Sequence, residues 1–510
     1  MKKSVIIIVL GVILYSFSLF NGFVWDDELY IQQNPVASQE TQTLTLSLYF
    51  RPAMFLIHFL LFALFGHQPF FYHLASVASH IVTAILLFYL FKHFFKENIA
   101  FFLSLLFLVH PANVEAVCFA SALQETLFTF AGILGLYLLV RLKTTSIITI
   151  FTSITLSMLS LLMKETGIVF FVLTFCYLLL FQRKNTQRVQ LYIALVIIVL
   201  FTYGMARFGG ENIYFQNKGI FPIMRVSFAT RLLNVPMIIL YYLGKFFVPF
   251  NLGIAQHWVV LTTSLSGFWL PLMIVVGFFA MAIGGFIFVS SRTRNDEEKV
   301  FLFFFLWFLI GLLPHIQIIP LNMTVAERWL YFPMIGLLGM GGVIIQSLEL
   351  KTESLKLKVM FVCLLIIFFV RSFVRTLDWR SGLSLFGRDI RKDSSFDLQN
   401  NLGVELFHAG KYAQSKKYAE ISTRLAPYWW VNWDNLGSSY TKEKNYMKAQ
   451  ECYEKAIQNE SHYQPAYENL ARLLVFDGKD KQKAKEFLEK AQQLFPENTT
   501  FQNLKEYLNN

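Results

Sequence analysis

Carboxylates and cations stand in short, widely separated groups wherever this otherwise apolar chain is interrupted. Asp26-Asp27-Glu28 follow the first apolar run, and Arg51, Tyr72 and His73 flank the next segment. His110 and Glu115 close a third run, Glu125 opens a fourth, Lys164-Glu165 join two more, and Glu327-Arg328 precede the run at 329–348. Ionisable residues against apolar spans are costly, so their default reading is functional. A carboxylate near a hydroxyl can take its proton. Arg binds phosphate bidentately, and Lys binds it as a point charge. Gathered at one membrane face, this mixture suits an anionic, lipid-linked substrate. Plainer readings stand beside it. Asp26–Glu28 as a solvated loop, Lys164-Glu165 and Glu327-Arg328 as local ion pairs, and His73, His80 and His110 as hydrogen-bonded packing residues all fit the same types. No GxGxxG, P-loop or metal-ligand spacing is present, so neither a nucleotide site nor a metal centre is supported. The four cysteines (118, 176, 363, 452) are far apart and read as packing residues rather than a disulfide framework.

The elements that must position these groups are set by composition. The 510 residues are 55% hydrophobic, 17% aromatic and 15% charged, whereas a soluble globular chain carries about 25% charged residues. An ordinary soluble protein is excluded. Apolar runs of spanning length fall near 4–20, 71–91, 98–112, 120–140, 146–163, 167–181, 189–205, 267–290, 299–315, 329–348 and 357–374. Lys2-Lys3 before the first run, with no small-residue cleavage site after it, reads as an uncleaved span with a cytoplasmic N-terminus. Alternating the eleven runs puts Lys92/Lys96, Arg141/Lys143, Arg183/Lys184/Arg188, Arg292/Arg294/Lys299 and Lys351/Lys356/Lys358 on one side, as the positive-inside rule requires. The stretches 52–66 and 225–250 read as interfacial or re-entrant. From Leu398 onward 15 Lys/Arg meet 14 Asp/Glu, so about +10 of the net +11 belongs to the apolar part. The basic excess therefore marks orientation rather than nucleic-acid binding. Eleven crossings place the C-terminal tail outside.

That tail repeats. Asn401-Leu402-Gly403, Asn435-Leu436-Gly437 and Asn469-Leu470-Ala471 recur every 34 residues, and Tyr412 and Tyr446 keep the same interval. Small residues in the second half of each unit (Ser415/Ala419/Ser422, Ala449/Ala456, Ala484/Ala491) complete a tetratricopeptide signature. Each unit is a helix hairpin that buries its face only against the next, so three units predict a short solenoid for binding protein or peptide.

At this point the residues resemble a family. Phe23-Val24-Trp25-Asp26-Asp27 with Asn34 is similar to the acidic first loop of the transmembrane and TPR-repeat-containing (TMTC) O-mannosyltransferases, and more broadly of GT-C fold glycosyltransferases. Arg51-Pro52, Tyr72-His73-Leu74 with His80, His110-Pro111 with Glu115, Lys164-Glu165-x-Gly167 and Val325-Ala326-Glu327-Arg328-Trp329-Leu330-Tyr331 follow in the family's order. Asp378-Trp379-Arg380 and Leu385-Phe386 then lead into the repeats. Ala120-Ser121-Ala122-Leu123-Gln124-Glu125 departs from the Gly-Arg-Ala-Asp-like run expected there, and three repeats are fewer than animal members carry; both suggest a bacterial relative.

The resemblance implies an all-α, polytopic membrane bundle of GT-C type at 1–375, with about eleven spans and interfacial helices. A connector at 376–397 and a soluble TPR α-solenoid at 398–510 follow. It implies transfer of a sugar, mannose-like hexose favoured, from a polyprenyl-phosphate carrier to an acceptor protein or peptide at the extracytoplasmic face, with inversion. Asp26 is then the expected base, with Asp27 as acceptor-orienting group or alternative base. Arg51, His73, His110, Glu115, Glu125, Lys164, Glu165, Glu327, Arg328 and Tyr331 are the expected substrate-binding residues, Lys164 and Arg328 facing the phosphate. No cofactor is required, since the leaving group brings its own phosphate, although a divalent cation between Asp26 and Asp27 is compatible with the sequence. The partners are the lipid-linked sugar, the acceptor held in the TPR groove, and the bilayer, with no nucleic acid. A membrane-anchored TPR scaffold and a lipid-linked sugar transporter are the rivals. The first leaves eleven spans unexplained, and the second calls for mid-span charges rather than charges at span ends.

Overall fold

In an apolar medium a chain segment can satisfy its backbone N–H and C=O groups only within itself, and the apolar runs of this sequence fold as helices. The computed structural model describes residues 2–28, 31, 50–142, 146–182, 186–208, 219–292, 296–348, 355–478 and 480–509. Asn34 of the first-loop motif, and Lys143, Arg183, Lys184, Arg294 and Lys351 of the basic loops, lie outside the described residues. The chain forms two compact units, Met1–Ser381 and Gly382–Asn510. Among the described residues both are helical, with one isolated bridge, Gln256 to Val325, and no strand.

The first unit contains α1 (Lys2–Tyr15, continued by a 3₁₀ turn Ser16–Phe20), α2 (Pro52–Phe65), α3 (Pro69–Phe94), α4 (Glu97–Val109), α5 (Val114–Cys118), α6 (Leu123–Arg141) and α7 (Ile147–Met163). It continues with α8 (Val169–Phe181), α9 (Thr186–Phe208), α10 (Phe228–Phe247), α11 (Leu270–Arg292), α12 (Glu297–Leu312), α13 (Pro333–Ser347) and α14 (Leu355–Asp378). Each of the eleven expected spans coincides with a helix. Among the described residues seven helical segments are long and apolar enough to cross a membrane: Lys2–Phe20, Pro69–Phe94, Ala120–Arg141, Thr186–Phe208, Leu265–Arg292, Glu297–His315 and Lys358–Asp378. The expected span 98–112 is instead half of a broken pair, Glu97–Val109 and Pro111–Cys118, bent by 49°. The break falls at His110-Pro111, where proline lacks the N–H and disfavours helix in the residue before it. Ile147–Met163, Glu165–Phe181 and Pro333–Ser347 are shorter apolar helices.

The bundle has two distinct ends. At one, Lys3 donates to Asn98 at 2.7 Å and pairs with Glu97 at 3.2 Å, and Lys92 also reaches Glu97 at 3.3 Å. At the other, about 30 Å away along α1 and its 3₁₀ continuation at 1.5 and 2.0 Å per residue, the chain leaving this segment meets Ser121 and Phe119 ahead of α6. Helix α2 starts and finishes at this second end. Arg51, just before it, pairs with Glu165 at 2.8 Å, while Phe65 stacks on Phe71 at 3.8 Å, beside the contact of Phe20 with Phe70. Helix α10 behaves alike: near its start Arg231 donates to the Gln317 carbonyl at 3.1 Å, and near its finish Lys245 pairs with Glu327 at 3.2 Å. Each thus begins and finishes at this same end of the bundle.

The second unit comprises α15 (Gly382–Asp389) and three helix hairpins: α16 (Phe396–His408) with α17 (Tyr412–Leu425), α18 (Trp430–Lys442) with α19 (Tyr446–Asn459), and α20 (Gln464–Phe476) with α21 (Lys481–Leu494). Helix α22 (Thr499–Asn509) covers the last hairpin through Phe501, Leu504 and Leu508. The recurring Asn positions tie one repeat to the next. Asn435 donates to Asn400 and Asn469 donates to Asp434, both at 2.9 Å. Small residues sit where helices cross; a Cβ on Gly437 would lie 2.6 Å from the Tyr453 ring. Cys118 and Cys452 are buried as expected of packing residues, whereas Cys363 is exposed on α14.

Candidate functional site

The sequence groups two pairs of adjacent opposite charges, Lys164-Glu165 and Glu327-Arg328, and neither pair closes on itself. Lys164 bonds Glu125, and Glu165 bonds Arg51. Glu327 bonds Lys245, and Arg328 bonds Glu115. Each dipeptide therefore joins two different segments, and together they gather the start of α2, the ends of α6, α7, α8 and α10, the short α5 and the turn before α13. The local ion-pair reading is excluded by this geometry.

Lys164 precedes a 3₁₀ turn, Glu165–Ile168, whose Gly167 allows close approach to α7: a Cβ there would lie 2.4 Å from the Ser160 carbonyl carbon. That packing sends Lys164 inward over the Phe128 ring, 5.3 Å from its centroid, to Glu125. Lys164 is 5% exposed and Glu125 2%. Burial lowers the Lys164 pKa, and the Glu125 carboxylate works against that lowering. The segment 251–258 and the residues before Glu327 hold each other through Thr324 N–H to the Gln256 carbonyl at 2.9 Å and Thr324 Oγ1 to the Trp258 carbonyl at 2.6 Å. This pairing presents Glu327 Oε1 to the Gly253 N–H at 2.7 Å and to Lys245. Burial raises the Glu327 pKa, opposed by the Lys245 charge.

Glu115 grips Arg328 twice, accepting its backbone N–H at 3.0 Å through Oε2 and its guanidinium through Oε1. The guanidinium also lies 5.8 Å from the ring centroids of Trp25, Phe119 and Trp329. Burial disfavours its charge, but Glu115, Glu125 and Asp26 together hold its pKa above the ordinary value.

Asp26 is half-buried and adjoins this cluster, whereas Asp27 is fully buried. Asp27 Oδ1 accepts the Ser121 N–H at 2.6 Å and Oδ2 the Val24 N–H at 3.2 Å. Both oxygens thus serve the loop. Trp25, between Val24 and Asp26, has φ +58°, a left-handed conformation that costs a bulky residue about 1–2 kcal/mol, and its indole stacks on Phe119 at 5.4 Å. Burial pushes the Asp27 carboxyl up to about 7, against the two amide bonds and with the help of the Asp26 charge. Among the described residues no group of three His, Cys, Asp or Glu is placed to hold a metal ion.

Three expected residues have their polar atoms used or enclosed by the fold. His110 Nε2 donates to the Phe246 carbonyl at 3.0 Å while Nδ1 accepts the Ala112 N–H at 3.2 Å, capping the turn at Pro111. The Tyr331 hydroxyl bonds His80 Nδ1 at 2.9 Å inside the bundle. His73 is fully buried at the start of α3. His110 and His80 make the hydrogen bonds that the packing alternative calls for. Sequence reasoning missed Lys245, which the rule for lone charges in apolar helices singles out within 236–250, and Arg207, at the end of α9, whose guanidinium lies 3.8 Å from Glu165.

The tetratricopeptide repeat family matches residues 432–462 and 464–498. Along most of its length the chain is similar to TMTC-type proteins. Protein O-mannosyl-transferase F38B6.6 of Caenorhabditis elegans is 25% identical over 448 residues, covering 84% of this chain and 63% of that one. Human Protein O-mannosyl-transferase TMTC3 is 23% identical over 512 residues, covering 89% and 54%. Protein O-mannosyl-transferase Tmtc3 of Drosophila melanogaster is 26% identical over 182 residues, covering 34% and 20%. The chain spans a little over half the length of the first two relatives.

Proposed function

We propose that this chain is a multi-pass membrane glycosyltransferase that moves a hexose, mannose favoured, from a polyprenyl-phosphate carrier to a hydroxyl of an acceptor protein. The observation that carries the reading is the convergence of the half-buried Asp26 on the Arg328–Glu115 and Lys164–Glu125 pairs at one end of an apolar helix bundle. Similarity to proteins named as O-mannosyl-transferases supports it independently.

In this reading Asp26 accepts the proton of the acceptor hydroxyl as its oxygen attacks the anomeric carbon. The bond to the carrier phosphate breaks on the opposite face, and the configuration inverts. The phosphate leaves with growing negative charge, which the fixed field of Arg328 and Lys164 stabilises. Glu115 and Glu125 hold those cations in place, and Asp27 fixes the loop that carries Asp26. The site lies on the extracytoplasmic side with the repeat unit, the N-terminus being cytoplasmic, and the repeats hold the acceptor to raise its local concentration.

The test is incubation of purified protein with polyprenyl-phosphate mannose and an acceptor peptide. Release of polyprenyl phosphate with glycosylated peptide is the expected result. Peptide binding without release would favour the scaffold reading.

A further inference from the structure

Basic and acidic residues nearly balance from Leu398 onward, yet the two edges of the solenoid differ. The turns that follow the hairpins, 425–430, 459–464 and 494–499, hold Glu460 and Glu497 and no Lys or Arg. The turns within the hairpins form the opposite edge, where Lys411, Lys442, Lys444, Lys448, Lys481 and Lys483 are exposed. Contacts run along this edge from turn to turn. Lys416 pairs with Glu443 at 2.6 Å, the Tyr446 hydroxyl bonds Asp477, and the Phe476 ring meets Tyr507 of α22 at 5.1 Å. The acids of these turns have structural tasks. Glu443 and Asp477 make two of the links, and Asp480 caps α21 by accepting the Gln482 and Lys483 N–H groups at 3.0 Å. The exposed lysines set the sign of the edge.

The same edge is apolar between its charges. Among the described residues of this unit, the three most exposed large apolar side chains are Met447 at 75%, Tyr507 at 60% and Phe476 at 55%, and all three lie here. Exposed apolar groups rimmed by polar ones mark an interaction surface. Two observations select the partner. The cations are all lysine, which protein interfaces deplete while they enrich arginine. The unit also starts at Gly382, four positions after Asp378 ends a helix long and apolar enough to cross a membrane, so a bilayer is within reach. Lysines draw a surface to anionic headgroups, and apolar side chains beside them enter the interface.

We infer that the edge bearing Lys411, Lys442, Lys444 and Lys448, with Met447, Phe476 and Tyr507, seats the repeat unit on an anionic lipid surface. The lysines meet the headgroups, and the three apolar side chains sit between headgroups and acyl chains. The concave surface of the solenoid stays open to a polypeptide. The inference is independent of the transferase reading, since it needs only a chain anchored in a bilayer.

The experiment places an environment-sensitive fluorophore at Met447→Cys or, on the other edge, at Leu425→Cys. The background is the full-length protein with Cys176→Ser and Cys363→Ser, held in nanodiscs of phosphatidylcholine alone or of an equal mixture with phosphatidylglycerol. In the anionic discs the Met447 label should shift to the blue and be quenched by brominated lipid, and molar salt should reverse both. The Leu425 label should read the same in either disc. Lys442→Gln, Lys444→Gln and Lys448→Gln together should abolish the shift. Ala409→Lys should enlarge it, a direction that misfolding does not produce. A shift of equal size in neutral discs, or at both labels, would overturn the edge as a charge-selective surface. No shift in either disc would overturn lipid as the occupant and leave an acidic protein as the partner.

Discussion

Asp27 and Ser121, 94 positions apart, are joined by a 2.6 Å bond from the Ser121 backbone N–H to the Asp27 carboxylate. The bond fastens the loop after α1 to the turn before α6, and with the Val24 amide it fixes the direction in which Asp26 points. Asp27 thus anchors the loop that carries its neighbour.

Asp26→Asn should abolish sugar transfer while leaving membrane insertion and thermal stability near wild type, because Asp26 is half-buried and carries none of the loop's anchoring bonds to Val24 and Ser121. Turnover assays beside a melting curve in detergent check this, and near-normal turnover would move the base elsewhere.

Asp27 should make stability pH-dependent. Its folded pKa, about 7, lies above the ordinary value of 3.8, so between these values the folded chain keeps a proton that the unfolded chain has lost. The contribution is therefore lost as pH rises from about 4 towards about 7, by up to about 1.4 kcal/mol per unit. Melting temperatures at pH 5 and pH 8 should differ in that direction, and Asp27→Asn should flatten the difference.

Glu115→Gln and Arg328→Gln should each destabilise the membrane unit by about 3–5 kcal/mol, since each strands a buried charge. The double variant should cost clearly less than the sum. Additive effects in a double-mutant cycle would mean that the two side chains do not act as a pair.

Gly167→Ala should lower stability by about 1–3 kcal/mol or more, as overpacking does, because the new Cβ would meet the backbone of Ser160 and Leu161 at 2.4–2.5 Å. Activity should fall with it, since the same contact places Lys164 and Glu165. Unfolding and turnover measured together test the link.

Removing Gly382–Asn510 should impair glycosylation of a protein acceptor far more than that of a short peptide. Equal loss with both substrates would show that the repeats serve structure alone.

Much of the fold was legible because it rests on periodicity. The 34-residue interval from Asn401 to Asn435 to Asn469 prefigures the three hairpins, and the apolar runs prefigure the helices. The partners of the charges were not legible. Adjacent Glu327 and Arg328 look like one ion pair in the sequence, yet the turn at 327–330 sends one to Lys245 and the other to Glu115. His110 and Tyr331 carry the same types as site residues, and their bonds to the Phe246 carbonyl and to His80 are visible only in the tertiary contacts. Arg207 went unnoticed because its significance lies in Glu165, 42 positions earlier and on another helix.

The crossed pairing of the two dipeptides also sets an order of events during synthesis. Glu125 gains its cation 39 residues later, when Lys164 emerges, so that pair can close while most of the bundle is still to be made. Glu115 must wait 213 residues for Arg328. Until then it stands in or near an apolar environment without its counter-charge. The turn before α13 therefore locks α5, and truncated chains that stop short of residue 328 should fail as a group rather than by degrees.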